Sequence, residues 1–358
     1  MKKVGILNFQ YSNHNYGAVL QAAALEHICN ELGHKATHLD YRAVSKPTVK
    51  KRIGKLLRQL GLRKTPKARH VANEAAFERF RQDFITRTQR INSPTEFTAA
   101  SRKFDVVIVG SDQVWRPAYS KDPITFFLKY VPSDVDRIAY AASFGTSTWE
   151  HADDVILTRK IGLELQQFKA ISCREESGVA ICKDLFDVPS VHVLDPVLVV
   201  DDFFYESIFS KSSIKYPAKL VYYKLDVTSD FREDLKVLSS NIGSDAVNLY
   251  SKNHNGFEYQ EVADWLSLIR LSEVVVTDSF HCVCLALRFG KEVIYCPNDK
   301  RGATRLDSLF LKFDLELIAL KIKLKTSMFR INRLSDINAI LESERGSSLK
   351  FLENELSS

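Results

Sequence analysis

The chain has 358 residues, of which 45% are hydrophobic and 26% charged, and its formal net charge is +6 at pH 7. This is an ordinary globular composition, with enough length for two domains of typical size. No apolar run approaches the ~20 residues that a membrane-spanning helix needs, which excludes a transmembrane protein.

The first part of the chain alternates predicted strands and helices. Residues 3–8 form an apolar run only a strand long, and polar residues follow at once, so we interpret the run as a core strand rather than a signal peptide. A helix over 17–32 ends at Gly33, and a strand over 38–41 closes a strand–helix–strand unit of the doubly wound kind. Further strands are predicted at 104–109, 137–142, 168–173 and 191–194, and helices around 72–86 and 152–166.

Positive charge is concentrated in residues 46–70, which carry ten Lys and Arg and no Asp or Glu. Apolar residues recur there at helical spacing, at Ile53, Leu56, Leu57 and Leu60. The pattern predicts a basic amphipathic helix from 49 to about 62. Such a helix fits an anionic membrane surface and, equally, a helix packed on the domain with a solvated basic face. Nucleic acid is disfavoured as a partner because no aromatic residues lie between the basic ones.

The strand–helix pattern restarts near residues 195–202, where we place a domain boundary. The second part has predicted strands at 220–223, 246–250, 274–277 and 292–296, and helices at 229–242, 259–271 and 304–313. We therefore predict an N-terminal domain over 1–195, a C-terminal domain over 196–334 and a final helix within 335–358 that can pack back on the N-terminal domain.

Alternation in both halves predicts an α/β fold with two Rossmann-like domains that face a cleft. Polar residues follow most of the buried strands, and in parallel sheets those strand ends point the same way. They are Asn13, Asn15, Ser111, Asp112, Gln113, Ser143, Arg174, Glu175, Thr277, Asp278, Ser279, Asn298 and Asp299. This layout favours an enzyme or a small-ligand protein over an interaction scaffold.

The stretch 274–287 places a histidine at one of these strand ends. A β-branched run turns through three residues typical of helix N-caps and continues as an apolar helix that stops at Gly290. His281 then lies in the first turn of the helix, where anions are favoured. It can donate a proton beside a bound anion, or it can be a satisfied structural histidine.

Five segments resemble, in the right order, those of the polysaccharide pyruvyl transferases. They are NYGAVLQ (15–21), GSDQVW (110–115), SCREESG (172–178), VLDPV (193–197) and TDSFH (277–281). The resemblance spans residues 1 to about 315. It implies a two-domain fold similar to that of GT-B glycosyltransferases. It also implies the transfer of pyruvate from phosphoenolpyruvate to two hydroxyls of one sugar, as a cyclic ketal, during the assembly of capsule, exopolysaccharide or cell-wall glycans.

The implied chemistry assigns roles to several residues on the donor side. His281, at the family's histidine position, is the expected general acid. Arg174 is the first candidate for binding the carboxylate or phosphate of the donor, and Arg301 and Arg305 are next. Backbone N–H groups at the two helix starts, Ser279 and Gly17, can add donors to the anion. A further catalytic candidate is Asp112, as a base or a group that orients a sugar hydroxyl, or alternatively as a helix cap.

The acceptor side is expected to contain Asn13, Asn15, Gln113 and Ser143. Trp115 can stack on a sugar ring or serve as a structural residue. In some family members an arginine stands two residues before the histidine, and here that position is Ser279. Either another arginine supplies the charge, or the protein is a GT-B-like glycosyltransferase that uses a nucleotide sugar. A non-catalytic, glycan-binding member is the third alternative.

Other partners follow from what the sequence contains. The histidines lack metal-ligand spacing and no dinucleotide or P-loop motif occurs, so we expect no metal or cofactor. Phosphoenolpyruvate as co-substrate is implied by the family resemblance. The acceptor sugar is expected to be lipid-linked or nucleotide-linked. The six cysteines occur in apolar contexts without a CxxC pair, which is typical of reduced, buried thiols in a cytoplasmic protein. We therefore expect the protein in the cytoplasm. If residues 46–70 bind an anionic surface, the protein contacts the inner face of the membrane peripherally.

Overall fold

The computed structural model describes residues 1–42, 71–120, 122–253, 256–298, 304–333 and 335–357. The basic segment 46–70 and Arg301 lie outside these ranges, so what the sequence predicts for them stays a prediction.

The strands and helices follow one another much as the sequence predicts. The strands are β1 (Lys3–Leu7), β2 (Lys35–His38), β3 (Val71–Ala72), β4 (Val106–Val109), β5 (Asp136–Ala142), β6 (Ala170–Cys173), β7 (Val191–His192), β8 (Leu220–Tyr223), β9 (Ala246–Asn248), β10 (Ser251–Asn253), β11 (Gly256–Glu258), β12 (Val274–Thr277), β13 (Glu292–Tyr295), β14 (Leu315–Ala319) and β15 (Phe329–Arg333). The helices are α1 (Tyr16–Glu31), α2 (Ala75–Phe84), α3 (Pro94–Ser101), α4 (Val155–Leu165), α5 (Glu176–Phe186), α6 (Pro196–Val199), α7 (Asp202–Phe209), α8 (Ser229–Ile242), α9 (Val262–Leu271), α10 (Phe280–Arg288), α11 (Thr304–Lys312) and α12 (Ile337–Ser357).

Two six-stranded sheets organise the molecule. The first has the order β2-β1-β4-β5-β6-β7, and all its strand pairs are parallel. The second has the order β14-β15-β13-β12-β8-β9, and its strands β9, β8, β12 and β13 are parallel. The predicted α/β class, two Rossmann-like sheets facing a cleft as in the GT-B architecture, is confirmed.

The sequence does not predict β14 and β15, which pair antiparallel at one edge of the second sheet. Most residues of both strands are at least partly exposed. They therefore lack the continuous apolar run that marks a strand buried on both faces. A small sheet of β10, β11 and β3 was also not predicted. It joins the two halves because β3 pairs with β11.

Helix α1 shows how local sequence and burial agree. The side chain of Asn15 caps its start by accepting a hydrogen bond from the N–H of Ala18 at 3.2 Å. Gly33 follows its end with a φ of +81°, a left-handed conformation that favours glycine. The helix is buried on most of its surface because it lies between the two halves of the molecule.

One hydrophobic core is continuous across both halves. Tyr16 of α1 stacks on Trp265 of α9, with ring centroids 4.7 Å apart and planes inclined by 7°. The hydroxyl of Tyr16 donates a hydrogen bond to the carbonyl of Gln260 at 3.0 Å. The two sheets are therefore joined by specific packing rather than by a loose hinge.

Helix α12 packs against the first half of the chain. The backbone N–H of Leu194 donates to the hydroxyl of Ser348 at 3.0 Å, and Arg345 donates to the carbonyl of Val199 at 3.0 Å.

All six cysteines are buried and form no disulfide, as predicted. Within the described ranges, no helix combines the length and the apolarity that crossing a bilayer requires.

Replacing Trp265 with Ala removes the ring that packs on Tyr16. We expect the free energy of unfolding to fall by about 3–5 kcal/mol, because a large buried ring leaves a cavity. Guanidinium unfolding followed by circular dichroism measures this loss. Trp265→Phe is the matched control: it keeps a ring, and the indole N–H that it removes has no hydrogen-bond partner among the described residues. Equal losses in the two variants would contradict a role for ring packing.

Candidate active site

A cavity of about 370 Å³ opens between the two sheets at the carboxyl ends of their strands. The lining side chains come from both halves of the chain. They are His14, Asn15, Asp112, Gln113, Tyr119, Tyr223, Leu225, Tyr250, Tyr259, Asp278, Ser279, Phe280, His281 and Arg305. Its volume falls in the range of ~300–1,000 Å³ typical of small-molecule sites.

His281 is the second residue of α10, directly after the turn that follows β12. Thr277 fixes that turn, because its hydroxyl donates to the carbonyl of Tyr223 at 2.7 Å and accepts from the N–H of Ser279 at 3.0 Å. Ser279 is the N-cap residue, yet its side chain makes no capping hydrogen bond. The first N–H groups of α10 therefore have no side-chain capping partner. They lie at the end of the helix that borders the cavity.

Gly17 is required where α1 meets the imidazole of His281. A Cβ atom at this position would lie 2.2 Å from Nδ1 of His281. Only a glycine lets the two helices approach this closely. The sequence predicted that Gly17 offers its backbone to the donor, whereas the structure places it behind the histidine ring.

A buried ion cluster, made of Asp112, Arg174, Asp195 and His281, lies beside the cavity. Arg174 donates from Nη1 to Asp195 at 2.7 Å and from Nη2 to Asp112 at 3.1 Å. The Nε2 atom of His281 is 3.4 Å from Oδ2 of Asp195 and 3.3 Å from Nη1 of Arg174. Ser111 adds a hydroxyl donor to Asp195 at 2.9 Å. The cluster joins strand ends of the first sheet to the helix that follows β12.

In this cluster, the attraction between opposite charges outweighs the effect of burial on the pKa values. Burial alone would raise the pKa of Asp195, but His281 and Arg174 outweigh it and lower that pKa below its ordinary value. Burial would also raise the pKa of Asp112, but the charge of Arg174 lowers it below the ordinary value. Burial would lower the pKa of Arg174, while Asp112 and Asp195 raise it. Both carboxylates and the guanidinium are therefore charged at neutral pH.

Arg305 of α11 is the guanidinium that lines the cavity. Burial, followed by the nearby charge of Arg174, lowers its pKa to about 10. It remains a cation at neutral pH. The guanidinium carbons of Arg174 and Arg305 lie 4.5 and 5.5 Å from the ring centroid of Phe280, so both cations gather at the start of α10.

The predicted donor residues do not all line the cavity. Ser279 and Arg305 line the cavity together with the catalytic candidates His281 and Asp112. Arg174 does not: its side chain is 1% exposed, and both its Nη atoms are bound to carboxylates. The prediction that Arg174 contacts the donor is corrected by this geometry, and its role is to position Asp112, Asp195 and His281.

The predicted acceptor residues also divide. Gln113 and Asn15 line the cavity, although the side-chain oxygen of Asn15 caps α1. Asn13 lies outside the lining and accepts a hydrogen bond from Arg81 at 2.6 Å. Ser143 is fully buried and donates to Glu175 at 2.8 Å, so a direct contact with sugar is wrong for this residue.

Trp115 has the structural role, which is the second of the two roles that the sequence left open, and not the stacking role. The side chain is 0% exposed. Its indole N–H donates to the carbonyl of Phe126 at 2.9 Å, and its ring stacks on Phe127 with centroids 5.4 Å apart. The indole therefore anchors the segment after β4 and cannot reach a ligand.

Sequence reasoning missed Asp195, which holds the centre of the ion cluster. The signal was present, because Asp195 follows a buried apolar run as the other site residues do and lies in the family segment 193–197, but the sequence analysis gave it no role in the site. Sequence reasoning also missed Tyr119, because this residue does not directly follow a predicted strand and so lacks the signal that identified the other site residues.

At the second sheet, Asp278 binds Lys224 at 2.9 Å and Asn298 at 2.6 Å, so polar residues predicted at two strand ends do meet there. No group of His, Cys, Asp and Glu suited to a metal ion occurs in the part of the chain that the structure describes.

Residues 15–300 match the family model described as polysaccharide pyruvyl transferase. The chain belongs to this family. The resemblance found in the five sequence segments is thereby confirmed, and with it the assignment to a family of transferases named for polysaccharide substrates. Four of those segments contribute the residues of the ion cluster.

The solved structures that resemble this chain share little sequence identity with it. A UDP-GlcNAc 2-epimerase from Neisseria meningitidis bound to UDP-GlcNAc is 13% identical, with a TM-score of 0.48, and the match covers 99% of each chain. MnaA of S. aureus with UDP is 13% identical, with a TM-score of 0.43, covering 82% of this chain and 78% of that chain. The E. coli heptosyltransferase WaaC with ADP-2-deoxy-2-fluoro heptose is 12% identical, with a TM-score of 0.35, covering 81% and 87%. Such TM-scores add nothing to what the sheet topology establishes. No curated protein matches the chain.

Replacing Asp195 with Asn removes the central negative charge of the ion cluster. At pH 7 we expect the free energy of unfolding to fall by about 3–5 kcal/mol, the cost of breaking a buried ion pair. The folded-state pKa of Asp195 is lowered, below the unfolded value of ~3.9. Its contribution is therefore complete above that pH and is lost as the pH falls through the folded-state value.

Urea unfolding of the wild type and Asp195→Asn between pH 7 and 3 measures this dependence. The part of the difference that belongs to the Asp195 carboxylate should shrink as the pH falls below about 4. Asp134→Asn, at an exposed carboxylate, is the control and should follow the wild type. A difference that is independent of pH would contradict the assignment.

Proposed function

We propose that this family member transfers pyruvate from phosphoenolpyruvate to two hydroxyl groups of one sugar in a polysaccharide precursor. The observation that carries the proposal is the meeting of His281, the cation Arg305 and the uncapped start of α10 in one cavity. A proton donor, a cation and backbone N–H groups together suit a small anion that must be protonated.

The donor has two anionic groups, a carboxylate and a phosphate. Arg305 offers a planar guanidinium for one of them. The first N–H groups of α10, between Ser279 and Cys282, suit the other, because a helix N-terminus attracts anions. The arginine that some family members have at the position of Ser279 is absent here, and the charge of Arg305 reaches the same cavity from a different helix.

His281 is the general acid in this proposal. The reaction begins when its proton passes to the methylene carbon of phosphoenolpyruvate and a sugar hydroxyl attacks C2. The C–O bond to phosphate then breaks, phosphate leaves, and a second hydroxyl of the same sugar bonds to C2. Of the two protons that the hydroxyls lose, one restores His281 and the other leaves with phosphate. The products are a cyclic ketal and inorganic phosphate. Asp195 holds the imidazole ring from its Nε2 side, at 3.4 Å.

Asp112 faces the acceptor in this arrangement. Its carboxylate lines the cavity and is fixed by Arg174 at 3.1 Å. A carboxylate whose pKa is lowered is a weak base, so we assign it to orienting a sugar hydroxyl by accepting its hydrogen bond. The acceptor is a sugar carried on a lipid or a nucleotide.

His281→Ala should slow the reaction strongly while the protein still folds. We expect the rate of phosphate release from phosphoenolpyruvate, with a glycan acceptor, to fall by about 10²- to 10⁴-fold, the usual contribution of a general acid. Phosphate release and the mass of the ketal product are measured together. His34→Ala, at the amino end of β2 and away from the cavity, is the control and should keep full activity.

Two results would count against this proposal. Release of a nucleoside diphosphate from a sugar donor, without use of phosphoenolpyruvate, would favour the glycosyltransferase. Neither activity in the wild type, with unchanged thermal stability in His281→Ala, would favour a non-catalytic glycan-binding protein.

Arg305→Met tests the donor site separately from the acid. We expect the KM for phosphoenolpyruvate to rise about 10- to 100-fold, because one charge-assisted hydrogen-bonding group is lost. Arg305→Lys should retain part of the affinity, since it keeps the charge without the fork. Steady-state kinetics at saturating acceptor measures both variants, with Arg330→Met as the control, because the Arg330 side chain on β15 is 56% exposed and pairs with Glu292 away from the cavity. An unchanged KM would exclude Arg305 from the donor site.

A further inference from the structure

The cavity changes character between its floor and its rim. Asp112, His281 and Arg305 at the floor are all buried. At the rim, Asn15 and His14 are exposed, and Tyr119 is 45% exposed while still lining the cavity. A small anion can be enclosed at such a floor. A sugar that is attached to a larger carrier must enter from the rim, so rim residues are the ones that contact it.

Tyr119 is held in place although it is exposed. The guanidinium carbon of Arg116 lies over its ring at 4.8 Å from the centroid, and Arg116 donates to the tyrosine hydroxyl at 3.0 Å. Arg116 is in turn bound to Glu150, with the shortest contact at 2.7 Å. The ring is therefore positioned by a charged pair before any ligand binds.

The backbone under Tyr119 is also fixed. Residues Pro117–Tyr119 form a turn of 3₁₀ helix with proline at its first position. Trp115, four residues earlier, is anchored in the core through Phe126 and Phe127. The buried indole and the exposed phenol thus share one short segment, in which Trp115 holds the segment and Tyr119 projects from it to the rim.

We propose that Tyr119 is the platform on which the ring of the acceptor sugar stacks, and that Arg116 and Glu150 are its positioning residues. This rests on the proposed function, whose acceptor it describes. A sugar ring has an apolar face of C–H groups, and tyrosine offers a rigid aromatic surface with a polar end. A sugar stacked there directs its hydroxyls toward Gln113 and Asp112, which line the same cavity. Pre-ordering the ring lowers the entropy lost on binding.

Kinetics of the full chain tests the platform. Tyr119→Ala should raise the KM for the acceptor about tenfold, with the KM for phosphoenolpyruvate unchanged. Tyr119→Phe keeps the ring but loses the hydroxyl that accepts from Arg116, so its acceptor KM should rise less than that of Tyr119→Ala. Glu150→Gln should raise only the acceptor KM, by about two- to fivefold, since it loosens the positioning pair. Tyr216→Ala, at a tyrosine that is 83% exposed and outside the cavity lining, is the matched control.

A binding measurement separates this subsite from the reaction itself. Saturation-transfer NMR is recorded with the methyl glycosides of glucose, galactose, mannose and N-acetylmannosamine. The wild type and Tyr216→Ala should show transfer to at least one glycoside, and Tyr119→Ala should lose it. Loss in Tyr119→Ala from a protein that releases no phosphate from phosphoenolpyruvate would support the platform while refuting the proposed reaction.

Three results would overturn the platform. They are an unchanged acceptor KM in Tyr119→Ala, undiminished saturation transfer in that variant, and no transfer from the wild type to any of the glycosides. If Tyr119→Ala does not fold, Tyr119→Leu, which keeps apolar volume without a ring, is judged by the same criteria.

Discussion

The structure depends on one buried guanidinium that is shared between two carboxylates. Removing three charges from water costs several kcal/mol for each ion, and the cost is recovered only when the partners are close and well aligned. Arg174 meets this condition with Asp112 and Asp195 at 3.1 and 2.7 Å. Because a cluster with one partner missing would leave an uncompensated charge, the strand ends that carry these residues must meet in one arrangement.

The same cluster couples the two halves of the molecule. His281 enters it from the helix after β12, while its other members follow strands of the first sheet. Gly17 permits the approach, since any larger residue would collide with the imidazole. The stack of Tyr16 on Trp265 fixes the same interface from the apolar side. Polar and apolar contacts therefore specify one relative placement, and the cavity is formed by that placement.

Much of the fold and part of the site could be predicted from local sequence. Buried parallel strands have continuous apolar runs, and helices such as α1 have caps and stops that act within a few residues. The polar residues that follow buried strands identified Asp112, Gln113, Ser279 and His281 as neighbours of one cleft. Half-exposed antiparallel strands such as β14 have no comparable signal. Domain limits and side-chain roles involve more than one segment, so they remained expectations.

The sequence by itself determined the α/β class, the family and the place of His281 at the start of a helix, because these depend on periodicity and on short ordered motifs. Tertiary structure alone decided which residues face the cavity. Arg174 was expected to bind the donor and Trp115 could stack on a sugar or be structural, but Arg174 is held by carboxylates 62 and 21 residues away, and Trp115 is packed in the core. Arg305 and Tyr119 occupy the lining instead. Exposure is a property of the packed chain, since it depends on which distant segments cover a side chain.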